Sequence, residues 1–220
     1  MGTSSVMAFD NVVLQEALRS PSVALMKLSI EIDRQLRLLL GTVGLLSRYQ
    51  SSNPVLAIDL LRGVQGVSVP TELRNAVADF WRVRNGIVHD GDAGYEGLAV
   101  RGIDYGLRIL SMLVSIPRPK RVVRYCDIPL YQDKFCTRQY PNVLGVIVES
   151  FSAEGVSHGL QIHPSRLRYS IGDEVTWEWE LGNSAEGWDE TWYRNPAKDN
   201  VIELAWSGSM EFRGRPLSAV

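Results

Sequence analysis

Apolar residues recur at intervals of three and four up to about residue 116, then in short strand-like runs from residue 143 onward, strictly at intervals of two in EVTWEWEL. The first spacing belongs to one face of a helix, the second to one face of a strand. Val6, Phe9, Val13 and Ala17 form a short helical stripe. Ser20-Pro21 then reads as an N-cap followed by proline at the first helical position, where a missing N–H costs nothing. The helix it opens carries Leu25, Leu28, Ile32, Leu36, Leu39 and Val43 on one face. Asn53-Pro54 repeats the start signal ahead of Val55, Ile58 and Leu61. Pro70-Thr71 opens a further helix with Leu73, Val77, Phe80 and Ile87 inward. Asp90-Gly91-Asp92 and Gly94 break the chain. A last helix, with Ile103, Leu107, Leu110 and Val114, stops before Pro117 and Pro119.

Residues 118–142 read as a connector, rich in proline and mixed charge, with short strands expected at Arg121–Tyr125 and near Tyr131. From residue 143 the runs are short and strand-like. VLGVIVESF is β-branched. EVTWEWEL alternates, with Val175, Trp177, Trp179 and Leu181 on one face and Thr176, Glu178 and Glu180 on the other. VIELAW and SMEFRG follow after loops rich in Gly, Asn and Asp. The pattern predicts an α+β chain: an all-α bundle over 1–117, the connector, and a small antiparallel, sandwich-like β domain over 143–220.

Composition narrows the classes. Of 220 residues, 45% are hydrophobic and 22% charged, which excludes collagen-like, coiled-coil and wholly disordered chains. The net charge of -2 excludes nucleic-acid binding by bulk positive charge but leaves room for a local basic site. Residues 1–120 carry +13 and -11, residues 121–220 +10 and -14, so neither half is a charged tail. No uncharged apolar run approaches the roughly 20 residues of a membrane span. The longest apolar helix, Ser22–Leu46, holds Lys27, Glu31, Asp33, Arg34 and Arg37, so no membrane partner is expected. The N-terminus lacks the basic and apolar regions of a secretory signal. Two cysteines, Cys126 and Cys136, are too few for a disulfide framework, and a reducing, cytoplasmic setting is expected.

The sharpest chemical signal is Phe80-Trp81-Arg82-Val83-Arg84-Asn85-Gly86-Ile87-Val88-His89-Asp90-Gly91. Arg84 falls on the inward line Leu73, Val77, Phe80, Ile87. A guanidinium there is unfavourable unless it is paired or faces a wet cleft. His89 sits at the expected helix end. Residues five apart point about 140° away from each other on an ideal helix, so Arg84 and His89 share a face only if Gly86 or fraying brings them together. Asn85 and His89, four apart, do share one. By composition alone an Arg-to-His pair at this spacing is expected about 0.26 times in the chain, and requiring Asn after the Arg lowers that to about 0.01.

This R-N-x-x-x-H arrangement resembles the signature of HEPN domains, helical bundles found in many prokaryotic ribonuclease toxins and antiviral effectors. The resemblance spans roughly residues 20–116 and leaves 121–220 uncovered. LSIEIDRQLRLLLG resembles the preceding long HEPN helix, with Glu31 the best match to an acidic residue near the active site and Asp33 the second choice. The resemblance implies a homodimer whose paired motifs line one cleft and cut RNA without metal or other cofactor, as a toxin or antiphage effector. His89 would be general base or acid, Arg84 would stabilise the pentacoordinate phosphate, and Asn85 would position a phosphate or His89. An imidazole, with an ordinary pKa of about 6.5, and a bidentate guanidinium suit those tasks. The alternative is a non-catalytic dimerisation or binding module. There Arg84 pairs with Glu31 or Asp33, His89 caps its helix, and the β domain recognises a protein or ligand.

Other constellations are weaker. Cys126, Cys136, His158 and His163 lack the close cysteine pair of a structural zinc site, so they read as reduced thiols and surface or loop histidines, with no metal site. Five of the six tryptophans lie at or beyond residue 177. Trp177 and Trp179 are expected in the core, while Trp188 and Trp192 sit in a loop with Asp189, Glu190 and Arg194 that offers a binding surface. Glu149, Glu178 and Glu180 read as solvated strand positions. P-loop, GxGxxG, HExxH and GxSxG motifs are absent, which removes support for kinase, dehydrogenase, zincin and α/β-hydrolase readings.

Overall fold

The computed structural model describes residues 11–49, 53–90, 96–181, 190–205 and 210–219, and of residues 88–90, 96 and 181 the backbone alone. The described residues divide into two compact units. The helical unit holds those up to Leu40 and Ser47–Pro117; the β unit holds Gly41–Leu46 and those from Arg118 on. The chain is α+β, with helices first and an antiparallel β domain after them. No helix among the described residues is long and apolar enough to cross a membrane.

Residues 11–17 are helical and Val13 is fully buried. Val6 and Phe9 of the expected stripe lie outside the described residues. Helix α1 (Pro21–Thr42) begins at the proline its start signal marks. Its Leu25, Leu28, Ile32 and Leu36 are fully buried, one every three or four residues. Each such burial is worth about 1.5–3 kcal/mol, so this stripe dominates what holds α1 in place. Before α2 (Pro54–Arg62), the Asn53 Oδ1 accepts the Leu56 N–H at 3.2 Å and caps the helix. Helix α3 (Leu73–Asp90) buries Leu73, Val77, Phe80 and Ile87. Helix α4 (Glu96–Ser115) brings Gly102 and Gly106, one turn apart, against its neighbours. A Cβ at Gly106 would lie 2.8 Å from Phe80 Cε2 and 3.0 Å from Leu28 Cδ1, so α4 approaches α1 and α3 through the side chains it lacks.

The β unit contains a five-stranded antiparallel sheet in the order β3-β2-β1-β5-β6. Its strands are β1 (Lys120–Tyr131), β2 (Gln139–Phe151), β3 (Ser157–Ser165), β5 (Trp192–Asn195) and β6 (Val201–Leu204). Strands β4 (Trp179–Leu181) and β7 (Met210–Phe212) form a separate antiparallel ribbon. Residues 118–142 are therefore not a connector: they supply β1, the middle strand of the sheet. A bulge at Asp127, with φ of 56°, shifts the alternation between Val123 and Ile128 and hides the strand period.

The apolar run of β2 is continuous because both of its faces are covered. Ile147 packs with Ile128, Leu130 and Ile162, while Val146 and Val148 pack with Val123, Tyr169, Val175 and Phe212. The second cluster joins sheet to ribbon, and Trp177 and Trp179 pack against it. The expected strand over 175–181 is regular only at Trp179–Leu181. Thr176, on the supposed polar face, is fully buried. It donates to Glu178 at 2.6 Å and accepts the Arg215 N–H at 2.9 Å.

Candidate functional site

The site builds outward from α3. Periodicity alone sends Leu73, Val77 and Phe80 inward, and Arg84 follows on the same line. Arg84 is half-buried. One of its terminal nitrogens, Nη1, donates to Asn85 Oδ1 at 3.0 Å. Its Nε is buried without a hydrogen-bond partner among the described residues. An unpaired guanidinium N–H is costly in a folded chain. Helix α3 continues through Gly86 to Asp90, so the backbone of His89 is helical. The His89 side chain lies outside the described residues.

Glu31 does not pair with Arg84 among the described residues. Its carboxylate accepts Arg34 Nη2 at 2.6 Å, Arg34 Nε at 2.8 Å and Gln35 Nε2 at 2.8 Å, all from its own helix. Burial works to raise the Glu31 carboxyl, but the hydrogen bonds from Arg34 and Gln35 outweigh it and hold the group below the ordinary carboxylate range. Asp33 is also engaged elsewhere. It accepts Arg37 Nε at 2.7 Å and the Tyr49 hydroxyl at 2.6 Å. Burial and then Asp33 hold the Tyr49 phenol well above its usual value. Arg84 and Asn85 are thus brought together, while Glu31 and Asp33 sit in separate ion pairs. The partners Gln35 and Tyr49 were not singled out from sequence. The four-residue step from Glu31 to Gln35 is the local signal that marks the first; Tyr49 joins Asp33 across a turn and leaves none.

The β unit corrects two expectations. His163 is neither a surface nor a loop residue: it lies on β3 with 6% of its surface exposed. Its ring is 5.7 Å from Trp177, 4.9 Å from Trp179 and 5.6 Å from Phe212. Both of its ring nitrogens are buried without hydrogen-bond partners, and burial pushes its pKa down to about 4. Trp192 opens β5 and is half-buried instead of looping out; Trp188 and Asp189 lie outside the described residues. Glu149 accepts Arg124 Nε at 2.6 Å and Ser157 Oγ at 2.8 Å. Glu178 pairs with Arg215 and Glu180 with Arg213. No three His, Cys, Asp or Glu side chains converge as a metal-binding group among the described residues.

No family model, no curated protein and no solved structure matches this chain.

Proposed function

We propose that the helical unit is a metal-independent endoribonuclease of the HEPN type, acting on RNA as a homodimer in a cytoplasmic toxin or antiphage setting. The observation that carries the reading is Arg84. It is a half-buried guanidinium on an otherwise apolar stripe, with one N–H unpaired and another tied to Asn85, on the helix that bears His89. In the reaction, a ribose 2′-oxygen bonds to the adjacent phosphorus and the bond from phosphorus to the 5′-oxygen breaks. The products carry a 2′,3′-cyclic phosphate and a 5′-hydroxyl. One proton leaves the 2′-hydroxyl and one reaches the departing 5′-oxygen. His89 moves one of them, and the second motif of the dimer brings another imidazole. Arg84 donates to the phosphate as charge builds on it, and Asn85 holds the guanidinium in place. A local arginine pair at the dimer cleft gives a net acidic chain a place to hold RNA.

The test is incubation of the purified full chain with total RNA and tRNA in EDTA, beside His89→Ala. Cleavage leaving cyclic-phosphate ends, reduced at least about 100-fold in the variant, is the expected result. Equal cleavage by both proteins would remove His89 from the chemistry. Intact RNA in both reactions would leave the helical unit as a dimerisation or binding module.

A further inference from the structure

The middle strand of the sheet has an edge that is covered at both ends and open between them. At one end Val122 bridges Glu174, the Val123 N–H donates to Asp173 O at 2.9 Å, and Val123 O accepts the Gly172 N–H at 2.8 Å. At the other end Leu130 and Tyr131 pair with Tyr193 and Trp192 of β5. From Tyr125 to Pro129 no strand pairs with this edge among the described residues. A cleft of about 290 Å³ opens there, within the β unit.

The chain is shaped on both sides of this opening. Tyr125 pairs with Ile147 and Ile128 with Gly145, so β1 advances three residues while β2 advances two. The extra residue is the bulge at Asp127. Across the cleft, β5 ends in a turn capped by Asn195, and Asp199 and Asn200 follow with φ of 49° and 61°. Bulges and left-handed non-glycine residues are strained features that recur where a fold re-aims side chains at a ligand.

The lining carries a consistent chemistry. Tyr125 and Tyr131 come from β1, Ile171 stands at one end, and Arg194, Pro196 and Asn200 stand at the other. Asp127 also lines the cleft, but its carboxylate is tied to Arg168. Arg194 has no ion-pair or hydrogen-bond partner among the described residues. The cleft therefore holds one uncompensated positive charge beside two aromatic rings.

We propose that this cleft binds a small anion bearing a planar ring, with the anionic group on Arg194 and the ring against Tyr125 and Tyr131. A guanidinium grips a carboxylate or a phosphate through two parallel N–H bonds. Tyrosine faces, Pro196 and Ile171 supply the apolar contact, and the Asn200 amide offers a donor and an acceptor to the ring edge. The volume lies just below the roughly 300–1,000 Å³ typical of small-molecule sites, which fits one ring system with its anionic group and no polymer. Aromatic carboxylates and nucleoside monophosphates share this chemistry. The inference is independent of the nuclease reading, whose residues all lie in the helical unit.

Titration calorimetry on the full chain tests it with three probes: benzoate, adenosine 5′-monophosphate and inorganic phosphate. Saturable binding of benzoate or the nucleotide is expected, with inorganic phosphate at least about tenfold weaker, and the ring-bearing probe that binds identifies the source. Arg194→Gln should weaken that binding about tenfold or more, the worth of one charge-assisted hydrogen bond. Arg194 is exposed and partnerless, so this variant keeps its fold, as circular dichroism would verify. Ring-anion binding that survives Arg194→Gln unchanged, inorganic phosphate binding as tightly as the ring-bearing probes, or no saturable binding of any probe would each overturn the proposal.

Discussion

Among the described residues of the helical unit, Ser29 is the one polar side chain classed with the core. In the β unit Thr42, His163, Ser165, Thr176, Thr191, Asn195 and Glu211 are all buried. The helical unit satisfies its backbone within each helix, so its interior can be filled almost wholly with apolar side chains. The β unit has short strands, a bulge and long connections, and buried side chains take over part of that hydrogen bonding. Ser165 Oγ donates to Phe212 O at 2.7 Å, and Asn195 Oδ1 accepts the Ala197 N–H at 2.9 Å. An apolar core fails gradually as volume is lost, whereas a core with buried polar partners fails when one partner is removed.

Glu211 should break that comparison most visibly. Its carboxylate is fully buried and accepts the Arg166 N–H at 2.8 Å and Arg166 Nη1 at 3.0 Å, with Arg213 Nη1 at 3.5 Å. Glu211→Ala removes the buried acceptor of Arg166 and of a backbone N–H, while Arg213 keeps Glu180, and should cost the β unit about 3–5 kcal/mol. Glu211→Gln keeps an acceptor and should cost less. Urea unfolding followed by tryptophan emission reads the β unit, since five of the six tryptophans lie there. A loss under about 1 kcal/mol for the alanine variant would mean the buried carboxylate is dispensable and the contrast between the units is superficial.

His163 comes next and adds a pH axis. Its folded pKa of about 4 lies below the ordinary 6.5, because burial disfavours the imidazolium. Between those values the unfolded chain binds more protons than the folded one, so stability rises with pH across the window and is lost on acidification. The full loss, reached near pH 4, is about 3 kcal/mol at 1.36 kcal/mol per unit. Stability of the β unit measured at pH 7, 5.5 and 4 should fall in that order. His163→Phe, which keeps a ring among Trp177, Trp179 and Phe212, should flatten the slope. A slope that persists in this variant would assign the acid sensitivity to the paired carboxylates.

The same contrast explains what was legible in the sequence. Helix starts at Ser20-Pro21 and Asn53-Pro54 are local signals and were readable, as was the inward placement of Arg84, which follows from spacing alone. Alternation places Trp177 and Trp179 in the core, and both are half-buried against it. The short strands expected at Arg121–Tyr125 and near Tyr131 are two ends of one strand, β1, whose period is interrupted by the bulge at Asp127 and the proline at Pro129. His163 was misread because its burial depends on β4 and β7, which reach it from far along the chain. The cleft beside β1 was invisible for the same reason: Tyr125, Ile171, Arg194 and Asn200 meet only once the sheet is assembled. Glu31 is bound by Arg34 and Gln35, three and four residues on, a local spacing that the sequence does carry and that competes with any pairing to Arg84.

The smallest expected effect is also the one that discriminates most finely within the proposed active site. Gly86 lies between Asn85 and Ile87 in the unbroken stretch of α3, and nothing among the described residues lies within 4 Å of a Cβ placed there. Packing does not require glycine at this position, and its backbone entropy makes it about 0.5–1 kcal/mol worse than alanine in a helix. Gly86→Ala should therefore stabilise the helical unit by that amount in thermal unfolding. Its effect on RNA cleavage separates two ways of joining Arg84 to His89, which a regular helix points about 140° apart. If the helix bends at Gly86 to bring both side chains to one phosphate, the stabilised variant cuts more slowly. If the Arg84 of one copy works with the His89 of the other, a straighter helix leaves the rate unchanged or raises it. A variant that is more stable and less active would locate the catalytic pair within one α3, and one that is more stable and equally active would locate it across the dimer.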